Sequence, residues 1–170
     1  MLFRSQYNPR LADIRGIMVQ RHPAWAHYHS TPLPTTYHEA QMSLPYSVAV
    51  ALKEGAALLP QYSDRKLADP EIGRLAALVR IVPEPALPRG VSCRMSVETM
   101  DGRCLTVQVD QPKGSIENPM TRDEMDAKVH RLADGVLGEA RVTRLIEIVG
   151  RIEDVKDMRD LTSVLVGGVC

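Results

Sequence analysis

Apolar and polar residues alternate on both sides of an Asp-Gly pair between residues 91 and 110. The apolar positions are Val91, Cys93, Met95 and Val97 before the pair, and Leu105, Val107 and Val109 after it. A period of two predicts two strands joined as a hairpin. A two-residue Asp101-Gly102 turn would set Glu98 opposite Leu105 and so pair polar with apolar residues. We therefore predict a three-residue loop, Met100 to Gly102, with a G1 bulge and Gly102 in the left-handed conformation. This register pairs Val97 with Leu105, Met95 with Val107 and Cys93 with Val109.

The region before the hairpin predicts a strand, a loop and two helices. Residues 12–21 are rich in β-branched and apolar types and predict a strand of about ten residues. Residues 22–37 combine prolines with aromatic side chains, which is typical of an ordered loop packed on the rest of the protein. A helix is predicted over Glu39–Leu52, with Ser43 as a possible N-cap and a stop at Gly55.

The second predicted helix begins at Asp69-Pro70, an N-cap residue followed by proline. Its apolar positions follow at helical spacing and are Ile72, Leu75, Ala76 and Val79.

Helices alone are predicted after the hairpin. Thr121 and Glu124 form a capping box, and helical spacing continues after it through Met125, Val129, Leu132 and Val136. A further helix ends at Gly150 and carries an apolar stripe formed by Val142, Leu145, Ile146 and Val149. Residues 157–166 predict a short last helix. The order of elements indicates an α+β fold with a small antiparallel sheet. The apolar stripes either pack on neighbouring elements or leave an exposed apolar patch, which would favour self-association.

Charge and cysteine content narrow the functional class. Lys plus Arg and Asp plus Glu each count 21, so the net charge is zero and no broad basic field exists to attract nucleic acid or anionic lipid. Cys93, Cys104 and Cys170 are too few and too scattered for a disulfide scaffold or a CxxC zinc site. No apolar run approaches the roughly 18 residues of a membrane span. We expect a cytoplasmic protein that binds neither nucleic acid nor membrane.

Four histidines lie close together in the sequence, at positions 22, 27, 29 and 38. His27 and His29 have the i, i+2 spacing that some metal sites use on a strand. No nearby carboxylate or cysteine completes a ligand set, and the intervening prolines disfavour a regular strand. We therefore predict no metal site.

The segment Tyr37–Gly55 resembles a signature of the MmgE/PrpD family, in which Glu-Ala leads to Ser-x-x-Tyr and a small-residue helix ending at glycine. In this chain those positions are Glu39, Ala40, Ser43, Tyr46 and Gly55. Further similarities follow in order: Asp69-Pro70 before a helix, the Asp101-Gly102 hairpin, Gly114, and Pro119 to Thr121 before another helix. The resemblance extends from about residue 12 to about residue 166.

This resemblance implies a domain organisation. Family members are more than twice as long, with a large all-helical domain and a smaller α+β lid domain inserted into it. Residues 1–117 would then form an N-terminally truncated lid-like domain, and residues 118–170 would be helices that rejoin the helical domain. The missing N-terminal helical domain would be the natural partner, and the full-length protein is expected to be a homodimer.

The resemblance also implies a chemistry. Family enzymes remove water or carbon dioxide from small tricarboxylic acids, such as 2-methylcitrate or cis-aconitate, without a cofactor. Tyr46 matches the family's tyrosine at the domain junction and is the first catalytic candidate, because a phenol donates a proton while staying neutral at pH 7. His38 is the second catalytic candidate, and Ser43 is a candidate for substrate binding. The family's lysine and histidine segments lie upstream, so the fragment alone is expected to be inactive.

Two alternative functions remain open at this point. An epimerase of the same family, of the iminodisuccinate type, would need the same proton-transfer groups but no leaving group. A stand-alone, non-catalytic lid-like domain that binds a partner is the other alternative.

Overall fold

A computed structural model describes residues 2–90 and 92–166 of the chain. They form two compact units, within Met1–Pro112 and within Lys113–Cys170. The first unit combines a sheet with helices and the second is helical, so the predicted α+β class is confirmed. Val91 and Cys170, which were part of the sequence predictions, lie outside the described residues.

The first unit contains six helices and four strands among its described residues. In chain order they are α1 (Leu2–Tyr7), β1 (Ile14–Arg21), α2 (Pro23–Ala26), α3 (Tyr37–Gln41), α4 (Leu44–Glu54), α5 (Asp64–Leu67), α6 (Pro70–Ala77), β2 (Val79–Pro83), β3 (Cys93–Thr99) and β4 (Cys104–Val109). Short 3₁₀ turns cover Leu11–Asp13 and Leu59–Tyr62.

The sheet has the strand order β2-β1-β3-β4. β1 pairs antiparallel with β3, with Val19 opposite Met95, but it pairs parallel with β2, with Ile17 opposite Val79. The predicted antiparallel sheet is therefore a mixed sheet, in which β1 and β2 form the parallel pair. The chain leaves β1, passes through helices α2 to α6 and returns in the same direction, and a crossover of this length is what joins parallel strands.

Strand β2 also corrects the predicted end of the second helix. Asp69 caps α6 and Pro70 begins it, as predicted. The helix stops at Ala77, however, and Val79 is the first residue of β2 rather than part of the helical stripe. Val79, Ile81 and Val82 are β-branched, and such residues favour a pleated strand once a neighbouring strand is available.

The hairpin has the predicted loop and register. Val97 faces Leu105, Met95 faces Val107 and Cys93 faces Val109. The N–H of Gly102 donates to the carbonyl of Thr99 at 2.9 Å, and the N–H of Thr99 donates to the carbonyl of Arg103 at 3.0 Å. Gly102 has φ +81°. The three-residue loop with a left-handed glycine is therefore confirmed.

The predicted helix over Glu39–Leu52 is two helices. α3 begins after Thr36, which forms a capping box with Glu39, and ends at Gln41. α4 begins at Leu44 with Ser43 as its N-cap, because Ser43 Oγ accepts the N–H of Tyr46 at 3.1 Å. The capping role of Ser43 is confirmed, and it breaks the predicted helix. Gly55 ends α4 in the left-handed conformation, as predicted.

The core lies between the sheet and helices α4 and α6. Ile17, Val19 and Val97 point into it from the sheet and are at most 2% exposed. Leu52 of α4 and Leu75 of α6 belong to the same cluster. Alternation along β1 assigns Ile17 and Val19 to the inner face of the sheet, so the next position in this phase is Arg21.

The second unit contains α7 (Arg122–Leu137), α8 (Glu139–Val149) and α9 (Arg159–Leu165). The capping box of Thr121 and Glu124, the helix end at Gly150 and the short last helix are confirmed. The apolar stripe of α7 is largely exposed, with Met125, Leu132 and Val136 from 47% to 80% accessible. No helix among the described residues is both long and apolar enough to cross a membrane.

One position in the predicted α8 stripe was wrong. Val149 is 52% exposed, whereas Val142 and Ile148 are buried. α8 packs against both α7 and α9. Because two neighbouring helices cover α8, its buried face includes Ile148 instead of Val149.

Candidate functional site

The first turn of α4 holds two of the three predicted site residues. Ser43 is 1% exposed, and its hydroxyl accepts the N–H of Tyr46 and donates to the carbonyl of Thr31. The cap therefore joins the start of α4 to the loop that follows β1. Because the hydroxyl proton is already donated to a carbonyl, Ser43 acts first as a structural cap. Its role in substrate binding stays a prediction.

Tyr46 is almost fully buried, with 2% of its surface exposed. Its hydroxyl donates to the carbonyl of Gln61 at 2.9 Å, and its ring lies 5.7 Å from that of Tyr62. Burial raises the pKa of Tyr46 to about 12, with further contributions from Tyr62, Glu54 and Asp69. The phenol is therefore neutral at physiological pH. It carries a proton that it can donate, and it does not act as a base.

A network of polar side chains fixes the segment that accepts this hydrogen bond. The Gln61 side-chain oxygen accepts the N–H of Leu58 at 3.1 Å, and its amide nitrogen donates to Glu54 at 3.5 Å. Glu54 also pairs with Lys66, and this hydrogen bond holds the pKa of the Glu54 carboxyl below its usual value. The carbonyl of Gln61 is thereby held in place for Tyr46.

The structure does not bring His38 to the other candidates. The His38 side chain is exposed on α3, and its ring meets Tyr37 edge-on at 5.5 Å. Among the described residues, no hydrogen bond or ring contact links it to Ser43 or Tyr46. Its catalytic role therefore stays a prediction from the resemblance.

A cavity of about 300 Å³ opens beside the first turn of α4. Its lining residues come from the end of β1, the following loop, α3, α4 and the start of β3, and include Arg21, His29, Gln41, Ser43, Ser47 and Cys93. Neither Tyr46 nor His38 is among them. Ser47 links the cavity to Tyr46 indirectly, because its hydroxyl lies 3.0 Å from that of Tyr62.

Arg21 lines the cavity but was not predicted as a site residue. The signal was present, since Arg21 follows Ile17 and Val19 in the inward phase of β1, where an apolar side chain is expected. Arg21 also lies opposite Cys93 on β3. Only the pairing of these strands shows that both residues reach the same cavity.

The clustered histidines have separate roles. The ring of His22 accepts the N–H of Ala24 at 3.2 Å and so caps α2. His29 has φ +61° and lines the cavity. Within residues 2–90 and 92–166, no group of three or more His, Cys, Asp or Glu side chains is arranged to hold a metal ion.

Comparison with known proteins shows where this domain occurs. The family model described as the MmgE/PrpD C-terminal domain matches residues 1–154. Cis-aconitate decarboxylase of Homo sapiens is 29% identical over 82% of this chain and 30% of its own length. Cis-aconitate decarboxylase of Aspergillus terreus is 29% identical over 91% of the chain and 33% of its own length. The cis-aconitate decarboxylase-like protein oryM of Aspergillus oryzae is 30% identical over 93% of this chain and 34% of its own length.

The chain thus spans about a third of the length of these curated relatives. The matched region includes the Ser43 cap, the buried Tyr46 and the hairpin. The resemblance noted in the sequence is confirmed, and the chain belongs to the MmgE/PrpD family, of which it carries the C-terminal domain.

Proposed function

We propose that the chain is the C-terminal part of a cofactor-independent lyase that decarboxylates a small tricarboxylic acid, with cis-aconitate as the first candidate. The observation that carries this proposal is the match to three cis-aconitate decarboxylases or decarboxylase-like proteins over most of the chain. These names favour decarboxylation over the dehydration of 2-methylcitrate.

Tyr46 is the proposed proton donor. In decarboxylation the bond between the carbon skeleton and one carboxylate breaks, carbon dioxide leaves, and the resulting carbanion takes up a proton. A phenol whose pKa is raised to about 12 stays protonated at neutral pH and is still far more acidic than a protonated carbanion. The hydroxyl donates to the neutral carbonyl of Gln61, which leaves the proton on the phenol.

The remaining catalytic groups are proposed to lie outside this chain. We propose that residues 1–117 belong to a lid-like domain and that residues 118–170 rejoin a helical domain formed mainly by an N-terminal region. The exposed apolar stripe of α7 supports this assignment, because such a face favours a covering partner. His38 and Ser43 remain candidates for proton transfer and substrate binding. The complete enzyme is expected to be a cytoplasmic homodimer.

The test compares the 170-residue chain with the protein produced together with its upstream coding sequence. Loss of cis-aconitate and release of carbon dioxide are followed for both, with 2-methylcitrate as a second substrate. We expect turnover of cis-aconitate by the longer protein alone. Turnover by the isolated chain would contradict the proposed division of catalytic groups, and failure of the longer protein to release carbon dioxide would contradict decarboxylation.

The role of Tyr46 is tested in the longer protein with Tyr46→Phe. We expect kcat to fall by about a hundredfold or more, which is typical for loss of a general acid. Tyr7→Phe is the matched control, since the Tyr7 hydroxyl also donates to a backbone carbonyl, that of Thr106, at 3.0 Å. Equal kcat values for the two variants would exclude Tyr46 as the donor. His38→Gln in the same assay decides whether His38 contributes.

A further inference from the structure

We propose that Arg21 and His29 form a carboxylate-binding site in the cavity beside the first turn of α4, and that its ligand is a small polycarboxylate. The identity of the ligand rests on the proposed function. The site itself rests on the charges and contacts of the residues that line the cavity.

Arg21 is a half-buried residue whose guanidinium lacks a counter-ion among the described residues. Its guanidinium donates one long hydrogen bond, 3.4 Å, to the carbonyl of Tyr28. Among the described residues, no carboxylate lies within ion-pair distance of it. A guanidinium has five N–H donors in a planar arrangement that matches a carboxylate. Most of these donors are therefore available to a ligand.

The walls of the cavity favour an anion. Neither aspartate nor glutamate is among the lining residues, which contribute the cationic Arg21, the imidazole of His29 and the amide of Gln41. Cys93 does not supply a negative charge, since burial raises the pKa of its thiol despite the nearby Arg21. A volume of about 300 Å³ lies at the lower end of small-molecule sites, as a compact polycarboxylate requires.

The backbone of α4 does not bind the anion itself. The N–H of Leu44 donates to the carbonyl of His29 at 2.8 Å, and the N–H of Tyr46 donates to Ser43 Oγ. Pro45, between them, has no N–H. Recognition at this edge of the cavity therefore comes from side chains, and Arg21 supplies the cationic one.

His29 is held at the cavity by a strained backbone. Its φ of +61° lies in the left-handed region, which non-glycine residues enter infrequently. The hydrogen bond from Leu44 to its carbonyl ties this conformation to the start of α4. Strain of this kind is often found where the position of a side chain serves binding.

The experiment titrates the ¹⁵N-labelled 170-residue chain with citrate and follows amide shifts by NMR at constant ionic strength. Citrate has three carboxylates and serves as a probe that does not react. We expect saturable shifts at the amides of residues 21, 28–31, 43, 44, 46 and 47. Arg21→Gln should weaken binding about tenfold to a hundredfold, as expected for loss of a charged hydrogen-bonding partner. Arg21→Lys should bind with intermediate affinity, because a lysine cannot form the bidentate contact.

Arg80→Gln is the matched control. Arg80 is an exposed arginine on the neighbouring strand β2 and does not line this cavity. It should bind citrate within about twofold of the wild type. His29→Asn, which keeps a residue tolerant of the left-handed conformation, should weaken binding several-fold and provides a second variant if Arg21→Gln does not fold.

The proposal is overturned if wild-type shifts are absent or confined to other residues, or if Arg21→Gln and Arg80→Gln bind equally well. Its failure is distinct from failure of the proposed function. If the longer protein decarboxylates cis-aconitate and Arg21→Gln leaves its KM unchanged, the proposed function stands and the proposed Arg21 site is refuted. If citrate binds through Arg21 but the longer protein releases no carbon dioxide, the proposed site stands and the proposed function is refuted.

Discussion

Replacing Tyr46 by phenylalanine tests the buried phenol while keeping the ring that packs on Tyr62. The hydroxyl donates to Gln61 at 2.9 Å, and a neutral hydrogen bond of this kind contributes about 0.5 to 1.5 kcal/mol. Burial raises the pKa of Tyr46 from 10.0 to about 12. The phenol ionises at a lower pH in the unfolded state than in the folded state. The contribution of the neutral phenol to the stability of the fold is therefore complete below about pH 10 and is lost as the pH rises toward 12.

The expected size of the effect follows from the raised pKa. One pKa unit corresponds to about 1.4 kcal/mol, so by about pH 11 the wild type loses about 1.4 kcal/mol through this group. That loss is similar to the contribution of the hydrogen bond. Tyr46→Phe should therefore be about 1 kcal/mol less stable than the wild type near pH 8 and about equally stable near pH 11.

Urea unfolding followed by far-ultraviolet circular dichroism measures both proteins at several pH values in this range. The other titrating groups are common to both proteins and largely cancel in the difference. A stability difference that stays constant from about pH 8 to about pH 11 would refute the reasoning, because it would mean that Tyr46 ionises equally in the folded and unfolded states.

Four further substitutions test the fold. Lys53 donates to Asp69, and this hydrogen bond lowers the pKa of the Asp69 carboxyl. The ionised carboxylate therefore stabilises the folded state above the unfolded pKa of about 3.9, and this contribution disappears as the pH falls through the lower folded pKa. Asp69→Asn should lower stability by about 0.5 to 1 kcal/mol at neutral pH, with a smaller difference near pH 3 in urea unfolding. Leu52→Ala should lower the free energy of unfolding by about 2 to 5 kcal/mol, whereas Leu132→Ala, at a position that is 47% exposed, should lower it by less than about 1 kcal/mol. Gly55→Ala should lower it by about 1 to 2 kcal/mol because of its φ of +77°, and a melting temperature equal to that of the wild type would contradict this.

Local signals were sufficient for the hairpin and for most helix ends. The register of β3 and β4 follows from alternation and a short loop, both of which lie within one stretch of sequence. The Asp69 cap and the Thr121 capping box were likewise readable, because each is defined within four residues. The Ser43 cap was also read, but the helical pattern around it concealed the break between α3 and α4.

Features that depend on distant partners were not predicted. Strand β2 follows α6 almost directly and is identified by its pairing with β1, with Ile17 opposite Val79. The cavity beside α4 likewise needs the end of β1, the His29 loop and the start of β3 to meet. Tyr46 was found through family resemblance, whereas Arg21 required the fold. The sequence alone shows that Arg21 faces the same side of β1 as Ile17 and Val19. It does not show which residues from other elements surround Arg21.

Three other cations of the first unit are half-buried and have acceptors within the described residues. Lys53 lies between Asp69 and Glu71, and Lys66 pairs with Glu54. Arg4 donates to the carbonyls of Leu52 and Lys53 at the end of α4. These three side chains have strong acceptors within the first unit, and their contacts account for their burial.

Arg21 differs from them, since its described contacts offer only one long hydrogen bond to a carbonyl. An apolar residue at position 21 would match the inward-facing Ile17 and Val19 of β1 better than a cation does. Most of the N–H donors of Arg21 therefore stay available to an acceptor that arrives with a ligand. The cavity that Arg21 lines has no acidic side chain, so the missing acceptor is expected to be the carboxylate of a small molecule.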